Sequence, residues 1–273
     1  VPELPEVEIV KQGLNQQIRG CRIKAVHLTY AGIVKSDVKT FQTTLVGLTI
    51  LEVKRRGKYL IFDFGDVAMV SHLRMEGKYF LLKNGESANK HCHVFFELDS
   101  GLRLVYQDVR KFGTMEVMAT NELPSYFQKK HIGPEPTEED FLLGPFQKAL
   151  ASSSKKLKPY LLEQSLVAGL GNIYVDEVLF AAKLHPERLS KTLSPLEVKI
   201  LRKEIIRILQ LGIEKGGSTI RTYQNAFGDN GTMQDYHQVY DKLGQPCPRC
   251  ASPIEKIKVG GRGSHFCPSC QQL

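Results

Sequence analysis

Nowhere in the 273 residues is there an apolar run of the roughly 20 residues needed to cross a bilayer, so no segment reads as a membrane span. A basic start followed by an apolar stretch is also missing, which argues against a secretory leader and leads to the expectation of a cytoplasmic protein. No internal repeat and no oligomerisation signature is apparent, so a monomer is expected. Cysteine is scarce: there are six, of which Cys21 and Cys92 stand apart and four crowd the last stretch. In a reducing compartment that crowding points to metal rather than to disulfides. Acid is outnumbered, with 29 Asp and Glu against 37 Lys and Arg, giving a formal charge of +8. A cationic surplus is the electrostatic footprint of a phosphate-backbone binder, and simple solubility explains it equally well when charge is taken alone.

The length suggests two domains with an appendage. In "VPELPEVEIV" and beyond, Val7, Val10, Leu14 and Ile18 fall at helical spacing, Pro5 suits the first turn, and Gly20 is placed to end the helix. From about residue 21 to 120 the texture changes to β-branched and aromatic runs broken by Gly, Asp and Asn. Such short strands predict an antiparallel sandwich or barrel over residues 1–130. "HIGPEPTEEDF" holds two prolines and an acid cluster, and residues 131–150 read as a link. Residues 151–235 read as helical. There Ser194-Pro195-Leu196-Glu197 forms a capping box, Val198, Leu201, Ile205 and Ile208 line one face, and "KGG" ends the helix. The Gly-, Thr- and Asn-rich stretch that follows is long enough to suggest a loop that is either functional or disordered.

The last segment, 236–273, carries the most specific motif. Cys247 and Cys250, then Cys267 and Cys270, are two Cys-x-x-Cys knuckles with sixteen residues between them. Each pair offers two thiolates on a tight turn, and together they close a tetrahedral structural Zn²⁺ site. A redox dithiol would need only one such pair. Between the knuckles, "IEKIKVGGRGSHF" reads as a β-hairpin turning at Gly260-Gly261, with Arg262 at its tip. A basic tip suits a phosphate contact, and spacing alone also allows a solvated arginine. Upstream, "GLGNIYVDEVLF" places Asn172 as a candidate N-cap on a helix whose start suits phosphate, and "SSSKKLKPY" adds lysines nearby. In the strand-rich half, Met75 in "SHLRMEGKY" and Phe112 in "DVRKFGT" stand beside charges, with Arg110 close to Phe112. Apolar side chains next to arginine suit wedges that unstack a base step, and equally suit residues that face a core.

"PELPEVE", "RRGKYL", "SHLRMEGKY", "DVRKFG", "GPEP", "GLGNIYVDE", "KGGSTIRTY" and "CPRC…CPSC" occur in that order. In this the chain resembles the bacterial formamidopyrimidine-DNA glycosylases over nearly its whole length. The related endonuclease VIII enzymes, which act on oxidised pyrimidines, usually begin "PEGPE"; here Leu4 stands in place of the glycine. The resemblance implies an α+β multidomain protein. An N-terminal antiparallel β-sandwich with flanking helices would precede a helix–two-turns–helix domain and a four-cysteine zinc finger. It implies excision of oxidised purines from double-stranded DNA and cleavage of the abasic strand, with one structural zinc. By matching motif it makes Pro2 the nucleophile and Glu3 its acid/base partner. Lys58 would assist β-elimination, and Arg262 would serve δ-elimination and phosphate binding. His91, Arg110, Lys158 and Asn172 would contact DNA, with Met75, Arg110 and Phe112 filling the gap left by an extruded nucleotide. Glu76, Thr219 and Tyr223 would lie where the flipped base is covered.

Val1 departs from this pattern. A free Pro2 nitrogen is a nucleophilic secondary amine, whereas acylated by Val1 it is inert. Val1 is read as a literal translation of a GTG start codon, removed in the cell. If Val1 persists, a catalytically silent binder of damaged DNA is expected instead. The "SSS" run at 152–154 replaces basic residues common in relatives and predicts slightly weaker or less salt-dependent DNA binding.

Overall fold

The computed structural model describes residues 2–83, 85–218 and 231–273. The chain divides into two compact units, residues 1–130 with 218–231 and residues 131–217 with 232–273. In the first unit, helix α1 (Leu4–Ile18) buries Val7, Val10, Leu14 and Ile18, the stripe its spacing predicts. There follow β1 (Ile23–Leu28), α2 (Val38–Leu45), β2 (Glu52–Arg56), β3 (Tyr59–Asp63), β4 (Val67–His72) and β5 (Lys78–Lys83). After these come β6 (Cys92–Leu98), β7 (Leu102–Gln107), β8 (Thr114–Ala119) and α3 (Leu123–Lys129). The strands build two four-stranded sheets, ordered β1-β6-β7-β5 and β2-β3-β4-β8, and every pairing is antiparallel. Phe41, Phe62, Phe96, Met69 and Tyr106 belong to the core that joins sheets and helices. Asn15 ties α1 to β2, donating to the Val53 carbonyl at 2.7 Å and accepting from its N–H at 2.8 Å.

The chain crosses between these sheets through residues 73–77, linking β4 to β5, and again through 108–113, linking β7 to β8. β4 pairs with β8 so that His72 faces Thr114, and β5 pairs with β7 so that Lys78 faces Gln107. The two crossings therefore leave adjoining strand ends and run side by side.

The second unit contains α4 (Leu143–Ala151), α5 (Leu157–Leu162), α6 (Asn172–Ala181), α7 (Pro195–Glu214), and a hairpin of β9 (Glu255–Val259) and β10 (Arg262–Phe266). The capping box of α7 forms, with Ser194 Oγ accepting from Glu197 N and the Glu197 carboxylate from Ser194 N. Residues 131–150 do not run as a bare link. They carry α4, whose Phe146 and Leu150 are buried. Their first residues are pinned by hydrogen bonds from Gly133 N to the Gln164 carbonyl and from Ala168 N to that of Pro134. Two half-buried prolines and three exposed acids, Glu138, Glu139 and Asp140, mark the first half of this stretch, and the buried Phe141 and Phe146 draw the remainder into the helical unit. Asn172 is the first residue of α6 and Gly171 occupies the cap position, so the capping role read from sequence is not the one it takes.

Candidate nucleic-acid interface and metal centre

The chain's front is fixed in place. Pro2 is buried, and Glu3 is 1% exposed just ahead of α1. Glu6, one turn in, uses both carboxylate oxygens, accepting from Glu3 N at 2.9 Å and from Ser218 N at 2.7 Å. Such reciprocal use of a first-turn acid satisfies N–H groups that a helix start leaves unpaired. Lys58 sits half-buried in the turn between β2 and β3. Arg55 holds that turn, donating to the Gly57 carbonyl at 3.0 Å and to Glu8 of α1 at 2.8 Å. Burial pushes the Glu8 carboxyl up, but hydrogen bonds from Lys11, Arg55 and Gln12 bring it below the usual carboxylate range. An anionic Glu8 thus couples the Lys58 turn to the helix that follows Pro2 and Glu3.

The two crossings share one design. In the first, His72 Nδ1 accepts from Arg74 N at 2.9 Å. Burial, then the charges of Arg74, Lys58 and Lys130, lowers this imidazole to about 3, so it is neutral and free to accept. In the second, the buried Asp108 carboxylate accepts from Arg110 N at 3.0 Å and from Gly113 N at 2.8 Å. Each crossing contains a non-glycine residue in the left-handed region, Arg74 at φ 54° and Lys111 at φ 57°. Such conformations cost energy and persist only where their surroundings hold them. The residues following them are Met75, half-buried, and Phe112, 52% exposed with the Arg110 guanidinium 4.8 Å from its ring centre. Phe112 therefore does not face the core, which was one of its two readings. Glu76 is half-buried in the first crossing. His91 adjoins the second, its carbonyl accepting from Asp108 N at 3.0 Å.

In the second unit the residues assigned to DNA by resemblance separate. Arg262 is exposed at the start of β10, directly after a turn at Gly260 and Gly261, whose φ values of 55° and 79° suit a tight hairpin that glycine adopts without strain. Lys158, in contrast, is 0% exposed. Its ammonium donates to Asp176 Oδ1 at 2.7 Å and to the Gly263 carbonyl at 3.0 Å. Asn172 donates to that same carbonyl at 3.1 Å, and Asp176 Oδ2 accepts from His265 N at 2.8 Å. These bonds fasten β10 to α5 and α6, one residue beyond Arg262. Motif matching put Lys158 at the DNA; its geometry is that of a support for the hairpin.

Asp176 and its neighbour Glu177 were not singled out from sequence. Glu177 accepts from the N–H groups of Gln238, Val239 and Tyr240 at 2.8, 3.0 and 2.8 Å, and burial raises its carboxyl nonetheless. Their signal was two adjacent acids inside the apolar helical run "NIYVDEVLF". Acids at such positions need buried partners. Thr219 and Tyr223 lie outside the described residues.

The four knuckle sulfurs converge, all within 4.8 Å of one another. Cys247 and Cys270 Sγ lie 4.0 Å apart, and those of Cys250 and Cys267 3.5 Å apart. A thiolate tetrahedron with Zn–S of about 2.3 Å has edges of about 3.8 Å, so the donor set fits one structural zinc. Arg249, inside the first knuckle, donates to the Phe180 carbonyl at 2.6 Å and to that of Ala181 at 3.2 Å, closing the C-terminal end of α6.

Three family models match: the formamidopyrimidine-DNA glycosylase N-terminal domain over residues 1–115, the H2TH domain of that glycosylase over 132–224, and the zinc finger found in FPG and IleRS over 244–273. The chain is 59% identical over 272 residues to a formamidopyrimidine-DNA glycosylase of Streptococcus pyogenes, covering 100% of this chain and 99% of the relative. It is 54% identical to that of Streptococcus pneumoniae, with the same shares covered. Among solved structures, a Lactococcus lactis FPG mutant in complex with Fapy-dG containing DNA is 50% identical with a TM-score of 0.97, both chains covered in full. A complex of Lactococcus lactis Fpg with abasic-site DNA is 51% identical with a TM-score of 0.96, covering 99% of this chain and all of the other. Matched along its length in sequence and fold, with its zinc ligands assembled, this chain belongs to the formamidopyrimidine-DNA glycosylase family.

Proposed function

We propose that the protein performs base-excision repair, removing oxidised purines such as 8-oxoguanine and formamidopyrimidines from duplex DNA and then cutting the abasic strand by β,δ-elimination. The observation that carries this is the fixed front of α1. An ordinary terminus frays, whereas here Pro2 and Glu3 are buried and Glu6 holds the Glu3 backbone. Support also comes from relatives whose solved complexes hold Fapy-dG and abasic-site DNA.

In this reading the Pro2 nitrogen, as a free secondary amine, attacks the sugar C1′. The glycosidic bond breaks and the base departs with the bonding pair and a proton. The nitrogen lone pair then opens the sugar ring at C1′–O4′, with O4′ taking up a proton, and the iminium so formed acidifies C2′–H. Loss of that proton expels the 3′ phosphate, and a second elimination, with loss of C4′–H, expels the 5′ phosphate. The N-terminal end of α1 disfavours the protonated amine, and a carboxylate beside it favours it, so Glu3 acts chiefly as a proton shuttle. Assistance of that kind is worth about 10²–10⁴-fold. Lys58 serves the first elimination and Arg262 the second, with Arg262 also on a phosphate. His91, Arg110 and Asn172 meet the DNA backbone, while Met75, Arg110 and Phe112 occupy the vacated stack. Glu76, Thr219 and Tyr223 belong to the cover over the extruded base. The same reading puts the protein at the bacterial nucleoid, in the cytoplasm.

The test offers the protein 8-oxoguanine:cytosine and thymine glycol:adenine duplexes and resolves the cut strands. Faster cutting of the first, leaving phosphate on both ends, is expected. Preference for the second would move the protein to the oxidised-pyrimidine enzymes. Binding without cutting, with Val1 present in the intact mass, would mark an acylated and silent Pro2.

A further inference from the structure

The two crossings of the sandwich meet at one atom. Tyr106, near the end of β7, is wholly buried, and its hydroxyl lies against Gly77 and Gly113, the glycines that close the first and second crossings. A methyl group on Gly113 would sit 1.6 Å from this hydroxyl, and one on Gly77 would sit 2.3 Å from it. Neither glycine has positive φ; the phenol excludes a side chain at Gly113, and at Gly77 it does so together with the Leu73 carbonyl. The hydroxyl also donates to Asp108 Oδ2 at 3.3 Å, on the carboxylate that holds Arg110 N and Gly113 N. From behind, the Asp108 carbonyl meets His93 Nε2 at 2.8 Å. Charge and burial keep Tyr106 a phenol: its ionisation is pushed far up, by desolvation first and by Asp108 next.

We propose that Tyr106 is a positioning residue which locks the 73–77 and 108–113 crossings together, so that Met75, Arg110 and Phe112 enter the duplex as one unit. This rests on the reading that those three fill the vacated stack. A shared abutment removes the relative motion of two short loops, and that conformational entropy would otherwise be lost on binding.

The experiment uses the full-length protein and a duplex carrying a tetrahydrofuran abasic analogue with 2-aminopurine beside the gap, whose fluorescence rises when the stack is opened. Phe112→Ala and Met75→Ala come first. If neither lowers the fluorescence rise, the void-filling reading fails and the proposal falls with it. If they lower it, Tyr106→Phe, which removes a hydrogen bond to a charged group, is expected to weaken binding about tenfold and to reduce the rise. Tyr79→Phe is the comparison for a merely structural loss. The Tyr79 hydroxyl bonds Ser71 of β4 at 2.7 Å instead of either crossing, so its removal should lower the melting temperature and leave the fluorescence rise in place. Gly113→Ala should be worse than Tyr106→Phe, and the double variant better than Gly113→Ala alone, because the overlap is chiefly with the hydroxyl. Gly77→Ala should gain less from Tyr106→Phe, since its added methyl also meets the Leu73 carbonyl at 2.6 Å. If Gly113→Ala fails to fold, Tyr106→Phe against Tyr79→Phe still decides. Equal fluorescence behaviour of those two phenylalanine variants would overturn the proposal.

Discussion

The zinc hairpin and the paired crossings of the sandwich both present a short turn containing an arginine and a glycine, and they are held by opposite means. Four thiolates fix the finger, with sulfur spacings of 3.5 and 4.0 Å between the paired cysteines. Among the described residues, a buried tyrosine and the Asp108 side chain hold the crossings. A metal-held tip is all-or-none, because the site exists only when every ligand is in place. A tip held by hydrogen bonds and packing can be loosened by degrees. The finger should therefore fail abruptly and the sandwich loops gradually.

The largest effect is expected from Cys250→Ser, or from stripping the metal with a chelator. Zinc content should fall to none, the finger should unfold, and binding to an abasic-site duplex should be lost in a gel-shift titration. Retained binding would mean that the finger stands without its metal. Next comes the support behind Arg262. Lys158→Met leaves Asp176 charged and buried, and breaking such a pair costs about 3–5 kcal/mol. Urea unfolding should show that loss, and a Lys158→Met, Asp176→Leu pair should recover much of it. If Lys158 instead acted mainly at DNA, its single substitution would weaken binding with little change in stability.

A smaller, pH-dependent effect belongs to the first crossing. His72 beside it is held at about 3, and His237 in the second unit at about 4, both by burial first, so the folded protein keeps these rings neutral. The unfolded chain takes up protons below about pH 6.5. Their contribution is thus complete above that pH and is lost as pH falls toward 4 and then 3. In His72→Asn, which retains an acceptor for Arg74 N, the fall in stability between pH 7 and 4 should be shallower. An unchanged slope would remove His72 from this role. The smallest effect is expected at Ser194→Ala, where loss of the α7 cap costs about 1 kcal/mol. That change should leave zinc content and DNA binding alone, which a melt and a titration together would check.

What was legible in the sequence is what is local. The knuckles, the Ser194 box and the stripes of α1 and α7 are patterns within a few residues, where geometry follows from spacing. Tyr106 was not legible, because its partners Gly77 and Gly113 come to it only through sheet pairing. Asp176 lies one helical turn after Asn172, but nothing in that spacing says that β10 returns to it. Lys158 shows the converse. A lysine in a basic stretch reads as surface charge, and only the fold reveals that it is wholly buried. Residues 131–150 show the same: two prolines and an acid cluster suggest a link, while the burial of Phe146 and Leu150 packs α4 into the helical unit.

Nucleophilic attack by Pro2 is tested most directly by borohydride trapping of the protein on an 8-oxoguanine:cytosine duplex, with the Pro2 nitrogen verified as free by intact mass. A covalent protein–DNA band whose linkage maps to Pro2 is expected. A protein with a free Pro2 that releases the base yet gives no band, or a band mapping to a lysine, would contradict it.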